Sequence, residues 1–414
     1  MNTAPEEIVV VGAGIIGICV AANLAEAGER VILYDRTGIC EETSSGNAAA
    51  LAFSDPLPLA HKGMLRKLPG WLMDPLGPLA IPPAYLPQLA PWLFRFLKAG
   101  NPKLFEAGLN AQAALMRLAE SEWAGLAGRA GTAGMISSNG AIDLFESEAE
   151  FRGSLPGWDA REKLGIPFEH VAGSRLAELQ PGLSPRFTHG TFQPTWKQVA
   201  DPKLFGQAIW AYAEQQGARF ERATIQALEP GGNGTTIRFK DGTTRLARRV
   251  VVAAGAWSHQ LAAGLGDRIP LETERGYNTT LPPGAFDLKR QLTFVGHGFV
   301  VSPLTTGVRI GGAVELAGLK RPPNYARSKA MLEKARQFLP GLKTEGGREW
   351  MGYRPSLPDS LPVISPAKRP GIFYAFGHGH LGLTQAAATG RLIRDLLLAQ
   401  TLPIDLQPFV ANRF

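Results

Sequence analysis

The sequence has little of what disulfide-stapled, metal-binding or nucleic-acid-binding proteins require. Only two of its 414 residues are cysteines, Cys19 and Cys40, and no Cys-x-x-Cys pair or Cys/His cluster is present, which excludes a disulfide framework and a zinc site. Charged residues make up only 19%, and no basic run is interleaved with aromatics, so the net charge of +7 does not indicate a nucleic-acid partner. The few cysteines and the acidic residues 1–7 predict a cytoplasmic protein without a secretory signal.

The composition that is present indicates a large globular chain. An apolar content of 45% over this length is enough for two domains with a large buried core, which excludes collagen-like and disordered chains. The 48 glycines and 32 prolines exceed average usage and predict many turns and close backbone approaches. Ligand binding through the backbone is therefore favoured.

Residues 8–25 carry no charge, and by hydropathy alone these 18 residues would qualify as a membrane span. The stretch divides, however, into a β-branched block followed by small residues that include Gly12, Gly14 and Gly17. A uniform helix would not favour this arrangement. We therefore predict a strand, a tight turn and a helix, with a second strand that ends at Asp35.

This βαβ opening has the features of a nucleotide-binding unit. Gly12 permits the sharp turn, Gly14 lets the backbone approach a pyrophosphate, and Gly17 lets the helix pack tightly on the strand. The amino terminus of the helix binds the phosphates through free N–H groups. Asp35, 18 residues beyond Gly17, accepts hydrogen bonds from a ribose hydroxyl. The motif leaves the choice between NAD and FAD open.

A second glycine loop lies near the end of the chain. Residues 371–376 form a strand, 377–382 a loop with two histidines, and 383–398 a helix, so a second helix amino terminus can stabilise negative charge. A reduced flavin carries such charge at its N1 and C2 oxygen edge, whereas nicotinamide does not. The pattern of residues 249–258 predicts a buried parallel strand followed by small residues.

The segment 56–102 is rich in proline, tryptophan and leucine, and its prolines predict short helices rather than a long one. One interpretation is a cap over the substrate site. The alternative is a peripheral membrane surface, with basic residues near anionic lipid. These basic residues are Lys62, Arg66, Lys67, Arg95 and Lys98.

Several motifs in order along the chain carry a family resemblance. They are the opening βαβ unit, 43–48, 251–258, 352–355, Asp359, 362–364 and 377–384. Together they resemble the D-amino-acid oxidase superfamily of FAD enzymes, which includes glycine oxidase, and within it most closely the bacterial D-amino-acid dehydrogenases. The resemblance implies an α/β Rossmann-like FAD-binding domain with a central parallel sheet (1–55, 196–265 and 345–414). It also implies an α+β substrate domain with an antiparallel sheet (56–195 and 266–344).

The same resemblance implies which residues hold FAD. The dinucleotide would contact Gly12, Gly14, Ile15, Gly17, Asp35 and Arg36. The flavin would be lined by Ser44, Ser45, Asn47 and Ala48, with Ile225 on the adenine side and Gly255 and Trp257 beside the cofactor. The isoalloxazine edge and ribityl chain would be capped by Gly379, His380, Leu381, Gly382, Leu383 and Thr384. Residues 43–47 contain no histidine for covalent attachment, so noncovalent FAD is expected.

Four residues are candidates for contact with the substrate. Arg354 matches the carboxylate-binding arginine of the family, and a guanidinium suits a planar carboxylate, although a structural salt bridge is the alternative. Tyr277 either hydrogen-bonds the substrate or only packs in a strand. His378 and His380 either contact flavin or substrate or tune the protonation of the amine. They lack further ligands for a metal, so no metal is expected.

These features predict oxidation of a D-amino acid by hydride transfer from the α-carbon to flavin N5, which gives an imino acid without a protein nucleophile. The expected electron acceptor is a quinone or other carrier. His380 and the small loop residues suggest D-proline or 4-hydroxy-D-proline. The alternatives are a glycine- or sarcosine-type oxidase that uses oxygen, a nicotinamide-dependent dehydrogenase, and a flavin-binding subunit of a larger amine dehydrogenase.

Overall fold

The computed structural model of the chain describes residues 7–60 and 76–414. The strands in these ranges are β1 (Glu7–Val11), β2 (Arg30–Asp35), β3 (Ala50–Leu51), β4 (Leu79–Ala80), β5 (Ile136–Ser137), β6 (Ala141–Phe145), β7 (Glu169–Ala172), β8 (His189–Gln193), β9 (Lys197–Val199), β10 (Arg219–Arg222), β11 (Ile225–Gly231), β12 (Gly234–Phe239), β13 (Thr244–Ala247), β14 (Arg249–Val252), β15 (Glu272–Leu281), β16 (Gln291–Phe294), β17 (Phe299–Leu304), β18 (Gly307–Leu316), β19 (Arg348–Ser356), β20 (Val363–Pro366) and β21 (Ile372–Phe376). The α-helices there are α1 (Ile15–Glu26), α2 (Leu86–Ala99), α3 (Pro102–Arg129), α4 (Glu148–Lys163), α5 (Gly173–Leu179), α6 (Pro202–Gln215), α7 (Ser258–Gly264), α8 (Ala326–Phe338) and α9 (Gly382–Leu397).

A six-stranded sheet within the described residues has the order β10-β2-β1-β14-β21-β20 and is parallel except between β20 and β21. Both of its faces are buried, because Ile8 and Val10 join one hydrophobic core and Val9 and Val11 join another. Helices α1, α6 and α9 cover the first face, and α7 with the small sheet of β11, β12 and β13 covers the second. The predicted βαβ opening and central parallel sheet are confirmed.

The helices that follow the two glycine loops pack against each other, although they are far apart in the sequence. A Cβ added to Gly390 of α9 would come 2.5 Å from the carbonyl oxygen of Cys19 in α1, so this glycine permits the close approach. Trp123 of α3 donates its indole N–H to the carbonyl oxygens of Leu383 and Thr384, both at 3.0 Å. Helix α9 is therefore packed on α1 near its middle and bonded to α3 at its first turn.

A nine-stranded sheet, again within the described ranges, has the order β19-β15-β18-β17-β16-β6-β8-β7, with β4 beside β18. Its pairs are antiparallel except β6 with β16 and β4 with β18. One face packs on α8, where Phe338 lies in one core with Phe299 and Ile310. The predicted antiparallel sheet is confirmed.

The assignment of residues to two domains follows these sheets closely. Every strand of the six-stranded sheet lies in 1–55, 196–265 or 345–414. The nine-stranded sheet lies in 56–195 and 266–344, except for β19, which pairs with β15. The boundaries themselves stay a prediction.

The proline-rich segment differs from its prediction, because α2 is a regular helix of 14 residues. Pro87 occupies the first turn, where an N–H has no helical partner, and only Pro91 removes an internal hydrogen bond. Trp92 and Phe96 are buried, whereas Phe94 is 71% exposed. Lys62, Arg66 and Lys67 lie outside the described residues, and membrane contact through 56–102 stays a prediction. No helix in the described part of the chain has the length and apolar character to cross a membrane.

Candidate functional site

A cavity of about 1090 Å³ is lined by residues from both large sheets. Its walls include the carboxyl ends of β1, β14 and β21 and the starts of α1 and α9. Pockets for one small ligand have volumes of roughly 300–1,000 Å³. The cavity therefore has room for a large cofactor together with a small substrate.

The first glycine loop lies at one end of this cavity. Gly12 has φ +107°, and a Cβ there would come 2.5 Å from the carbonyl oxygen of Ala253 in the strand end beside it. A Cβ on Gly17 would overlap the carbonyl oxygen of Gly12, so Gly17 packs the helix on the loop and does not itself line the cavity. Ser44 Oγ accepts the N–H of Ile15 at 3.0 Å, and no side chain caps the rest of the first turn of α1. Its remaining amides are available to an anion.

Asp35 ties this loop to the end of β2. One carboxylate oxygen accepts the N–H of Ala13 at 2.8 Å, and the other accepts the N–H and hydroxyl of Thr37, each at 2.8 Å. The carboxylate lines the cavity and has lone pairs left. Its bond to a ribose hydroxyl stays a prediction.

Arg36 and Trp257 form the wall beyond Asp35. The guanidinium lies 3.8 Å above the centre of the indole ring and pairs with Glu42 at 2.9 Å. Ile225 and Gly255 line the same cavity. The structure thus places Ile225, which was expected on the adenine side, in one cavity with Arg36, Gly255 and Trp257, which were expected near the cofactor.

The loop at Thr43–Gly46 is held by its own polar groups and by the large sheet. Ser45 donates its hydroxyl to the carbonyl of Glu42 at 2.8 Å and does not line the cavity, unlike Ser44, Asn47 and Ala48. The Asn47 side chain also bonds within the loop. Two residues that the sequence reasoning missed hold this loop from β15 and β18: Asn278 donates to the Gly46 carbonyl at 2.8 Å, and Arg309 donates to the Asn47 carbonyl at 2.6 Å.

The second glycine loop lies against the same cavity as the first. His378 and each residue from Gly379 to Thr384 line it, and α9, like α1, begins without a side-chain cap. His380 is exposed to the cavity. Two helix amino termini, distant in sequence, therefore face one space.

His378 differs from His380 in its surroundings. Its Nε2 lies 2.9 Å from the hydroxyl of Thr389, whose own proton goes to the carbonyl of Gln385, so Nε2 is the protonated nitrogen. Burial lowers the pKa of His378 to about 3, so the ring is neutral at physiological pH. This burial does not favour the expectation that His378 tunes amine protonation near neutral pH, and the role of His378 stays a prediction.

Arg354 extends from β19 over the cavity face of β15. A Cβ on Gly276 would come 2.5 Å from its Cζ, so the guanidinium lies flat on this glycine. Its Nη1 donates to the carbonyl oxygen of Ala313 at 3.3 Å. No carboxylate in the described residues lies within ion-pair distance, so the alternative of a structural salt bridge does not hold. Burial lowers the pKa of the guanidinium, and the nearby Glu274 opposes this shift.

The Tyr277 hydroxyl already has partners within the protein, so its bond to the substrate stays a prediction. The hydroxyl donates to Glu315 and accepts the N–H of Asn324 at 3.1 Å, while the ring packs in the core on the α8 face of the sheet. Gly276, Tyr277 and Asn278 all line the cavity, but the Tyr277 hydroxyl is already bonded to Glu315 and Asn324. Burial and the bond to Glu315 raise the pKa of Tyr277 to about 12.

The residues present fit FAD. The two uncapped helix starts supply amides at two separate places, as a pyrophosphate and the polar edge of an isoalloxazine require. The glycines at both loops let the backbone approach the ligand. Among residues 7–60 and 76–414, no group of three or more His, Cys, Asp or Glu side chains could hold a metal ion.

Comparisons with known proteins agree with this geometry. A family model described as FAD dependent oxidoreductase matches residues 7–396. A D-amino-acid oxidase of Bradyrhizobium diazoefficiens is 35% identical, with 98% of each chain covered, and a D-amino acid dehydrogenase of Xylella fastidiosa is 30% identical, with 96% of this chain and 93% of the relative covered. The solved glycine oxidase from Geobacillus kaustophilus superposes with a TM-score of 0.75 at 22% identity over 99% of each chain. The L-proline dehydrogenase from P. horikoshii does so with a TM-score of 0.76 at 19% identity over 100% of this chain and 98% of its own. These two structures share the fold.

Proposed function

Because this chain belongs to the family of FAD-dependent oxidoreductases, we propose that it oxidises the bond between the α-carbon and the amino nitrogen of a D-amino acid. The observation that carries this proposal is the guanidinium of Arg354, which is half-buried, has no ion pair with a carboxylate among the described residues and lines the cavity that both glycine loops share. The relatives named D-amino-acid oxidase and D-amino acid dehydrogenase support the substrate class.

In this proposal Arg354 binds the substrate carboxylate through two parallel hydrogen bonds. Contact with Gly276 and the hydrogen bond to the Ala313 carbonyl hold the guanidinium in one orientation. Little side-chain conformational freedom is therefore lost when the carboxylate binds. Bound FAD supplies a two-electron acceptor for the hydrogen of the α-carbon. The uncapped start of α9 offers N–H groups to the anionic edge of the cofactor, and Thr384 is held in place by its bonds to the backbone of residues 50 and 52.

The substrate and the electron acceptor are finer parts of the proposal. D-Proline and 4-hydroxy-D-proline are our candidate substrates, supported by the exposed His380 and the small loop residues beside it. A quinone or other carrier is our candidate acceptor, supported by the relatives named dehydrogenase. The relative named oxidase, at 35% identity, favours oxygen as the second candidate.

Anaerobic bleaching of the flavin absorbance tests this function. Purified holoenzyme is mixed with a panel of D- and L-amino acids that includes cyclic ones, and D-enantiomers should bleach the flavin. The reduced enzyme is then exposed to oxygen or to a quinone analogue, and the faster reoxidation identifies the acceptor. Bleaching by L-enantiomers alone, or a colourless protein that reduces NAD, would reject the proposal.

A further inference from the structure

Glu274 is an acidic residue of the cavity wall whose charge acts on Arg354 without a direct bond between them. It is only 7% exposed, yet no hydrogen bond or ion pair joins it to any described residue. The other acidic residues of the cavity wall all have partners: Asp35 holds backbone amides, Glu42 pairs with Arg36, Asp55 pairs with Arg161, and Asp143 accepts from Gln193. A buried charge without a partner is costly, so Glu274 is suited to a cationic group that comes from outside the protein.

The position of Glu274 relative to Arg354 indicates which cation. The two residues are directly opposite in the ladder between β15 and β19, and both side chains face the cavity. Side chains paired in this way have Cβ atoms roughly 5 Å apart, close enough for an ion pair. None forms, because the guanidinium turns away over Gly276 towards the carbonyl of Ala313. A positive and a negative group thus lie side by side, each open to the ligand.

We propose that Glu274 binds the protonated amino group of the substrate while Arg354 binds its carboxylate. An α-amino acid carries both charges on one carbon, so the zwitterion matches the two neighbouring side chains. A carboxylate without an amino group leaves Glu274 unpaired and adds a second negative charge beside it. The pair therefore selects amino acids over 2-hydroxy acids and simple carboxylates. This inference rests on the proposed function, which assigns the carboxylate to Arg354.

Three probes with nearly the same ring separate the two charges. D-Proline carries both groups, cyclopentanecarboxylate only the carboxylate, and pyrrolidine only the ammonium. Binding of the two non-substrates is measured from the perturbed flavin absorbance of the holoenzyme. Binding of D-proline is measured from the concentration dependence of anaerobic flavin reduction. Bound FAD and the thermal midpoint establish that each variant is folded.

The variant Glu274→Gln keeps the shape of the side chain and removes its charge. We expect it to weaken D-proline and pyrrolidine binding roughly 10- to 100-fold, as for a lost hydrogen bond between charged groups, while cyclopentanecarboxylate binds as well or better. Glu272→Gln is the matched control, because Glu272 lies two residues away on β15 but accepts from Tyr85 and does not line the cavity. This control should leave all three affinities unchanged.

The outcomes separate the inference from the proposed function. Unchanged D-proline affinity in Glu274→Gln, or an equal loss for cyclopentanecarboxylate, overturns the role of Glu274 even if the wild type oxidises D-amino acids. If no amino acid reduces the wild-type flavin, the proposed function fails. The binding of pyrrolidine then tests whether Glu274 forms a cation site. Weaker pyrrolidine binding in Glu274→Gln but not in Glu272→Gln supports the cation site. Unchanged pyrrolidine binding in Glu274→Gln rejects it.

Discussion

Gly276 lies directly beneath the guanidinium of Arg354, and a Cβ at this position would come 2.5 Å from its Cζ and Nη2. The glycine on one strand therefore determines where the arginine of the neighbouring strand can rest. It holds the cation apart from Glu274 and over the cavity.

Gly276→Ala should displace this guanidinium. The added methyl group occupies the space in which the guanidinium lies on Gly276. We therefore expect KM for the amino acid to rise about 10- to 100-fold while FAD stays bound. Steady-state kinetics and the FAD-to-protein ratio measure this. Gly153→Ala is the control, since a Cβ there meets nothing within 4 Å in an exposed helix. An unchanged KM in Gly276→Ala would show that substrate binding does not depend on the position of the Arg354 guanidinium over Gly276.

Replacing Arg354 separates its charge from its shape. Arg354→Leu should raise KM at least about 100-fold, because the substrate carboxylate loses two charge-assisted hydrogen bonds. Arg354→Lys restores the charge but not the planar pair of donors, so its KM should lie between those of Arg354→Leu and the wild type. Both variants should retain their flavin. Normal kinetics in Arg354→Leu would remove the assigned role.

The two glycines at the start of α1 should respond differently to alanine. A Cβ on Gly17 overlaps the Gly12 carbonyl, so Gly17→Ala should lower the thermal midpoint and the FAD content together. A Cβ on Gly14 meets only Ser44 Oγ at 3.1 Å, so Gly14→Ala should fold and lose mainly FAD affinity. Thermal melts and flavin titration of the apoprotein distinguish the two effects. Equal melting of the two variants contradicts the assignment.

Tyr277→Phe should affect stability rather than substrate binding. The hydroxyl bonds Glu315 and Asn324 within the protein, so we expect a loss of about 1–3 kcal/mol in the free energy of unfolding. KM should stay within about twofold of the wild type. Denaturant unfolding and kinetics test both parts. A large rise in KM with unchanged stability would support the substrate contact expected from the sequence.

His378 should make the protein less stable in acid. Its pKa is about 3 in the folded chain because of burial, against an ordinary value near 6.5 when unfolded. The unfolded chain therefore binds a proton that the folded chain does not, so stability is full above about pH 6.5 and falls towards pH 3 by up to about 1.4 kcal/mol per unit. His378→Asn should flatten this slope between pH 6.5 and 4.5 in denaturant titrations. An equally steep slope in the variant contradicts the prediction.

Several features could be predicted from the sequence because their signals are local. The βαβ opening followed from β-branched residues, three glycines and an acidic strand end, all within about 30 residues. The second glycine loop followed in the same way, and the FAD-dependent family and the α/β fold class are confirmed. The length of α2 was missed because Pro87 stands in the first turn, where its missing N–H costs nothing.

The places where the backbone can bind a dinucleotide follow from local sequence, because glycine conformation and helix starts depend on neighbouring residues. Which side chains line the cavity depends instead on how distant strands pair. The register of β15 with β19 places Glu274 opposite Arg354, 80 positions later in the chain. Gly276, two residues beyond Glu274 on the same strand, leaves the space in which the guanidinium lies. A cross-strand contact of this kind has no local signal in the sequence.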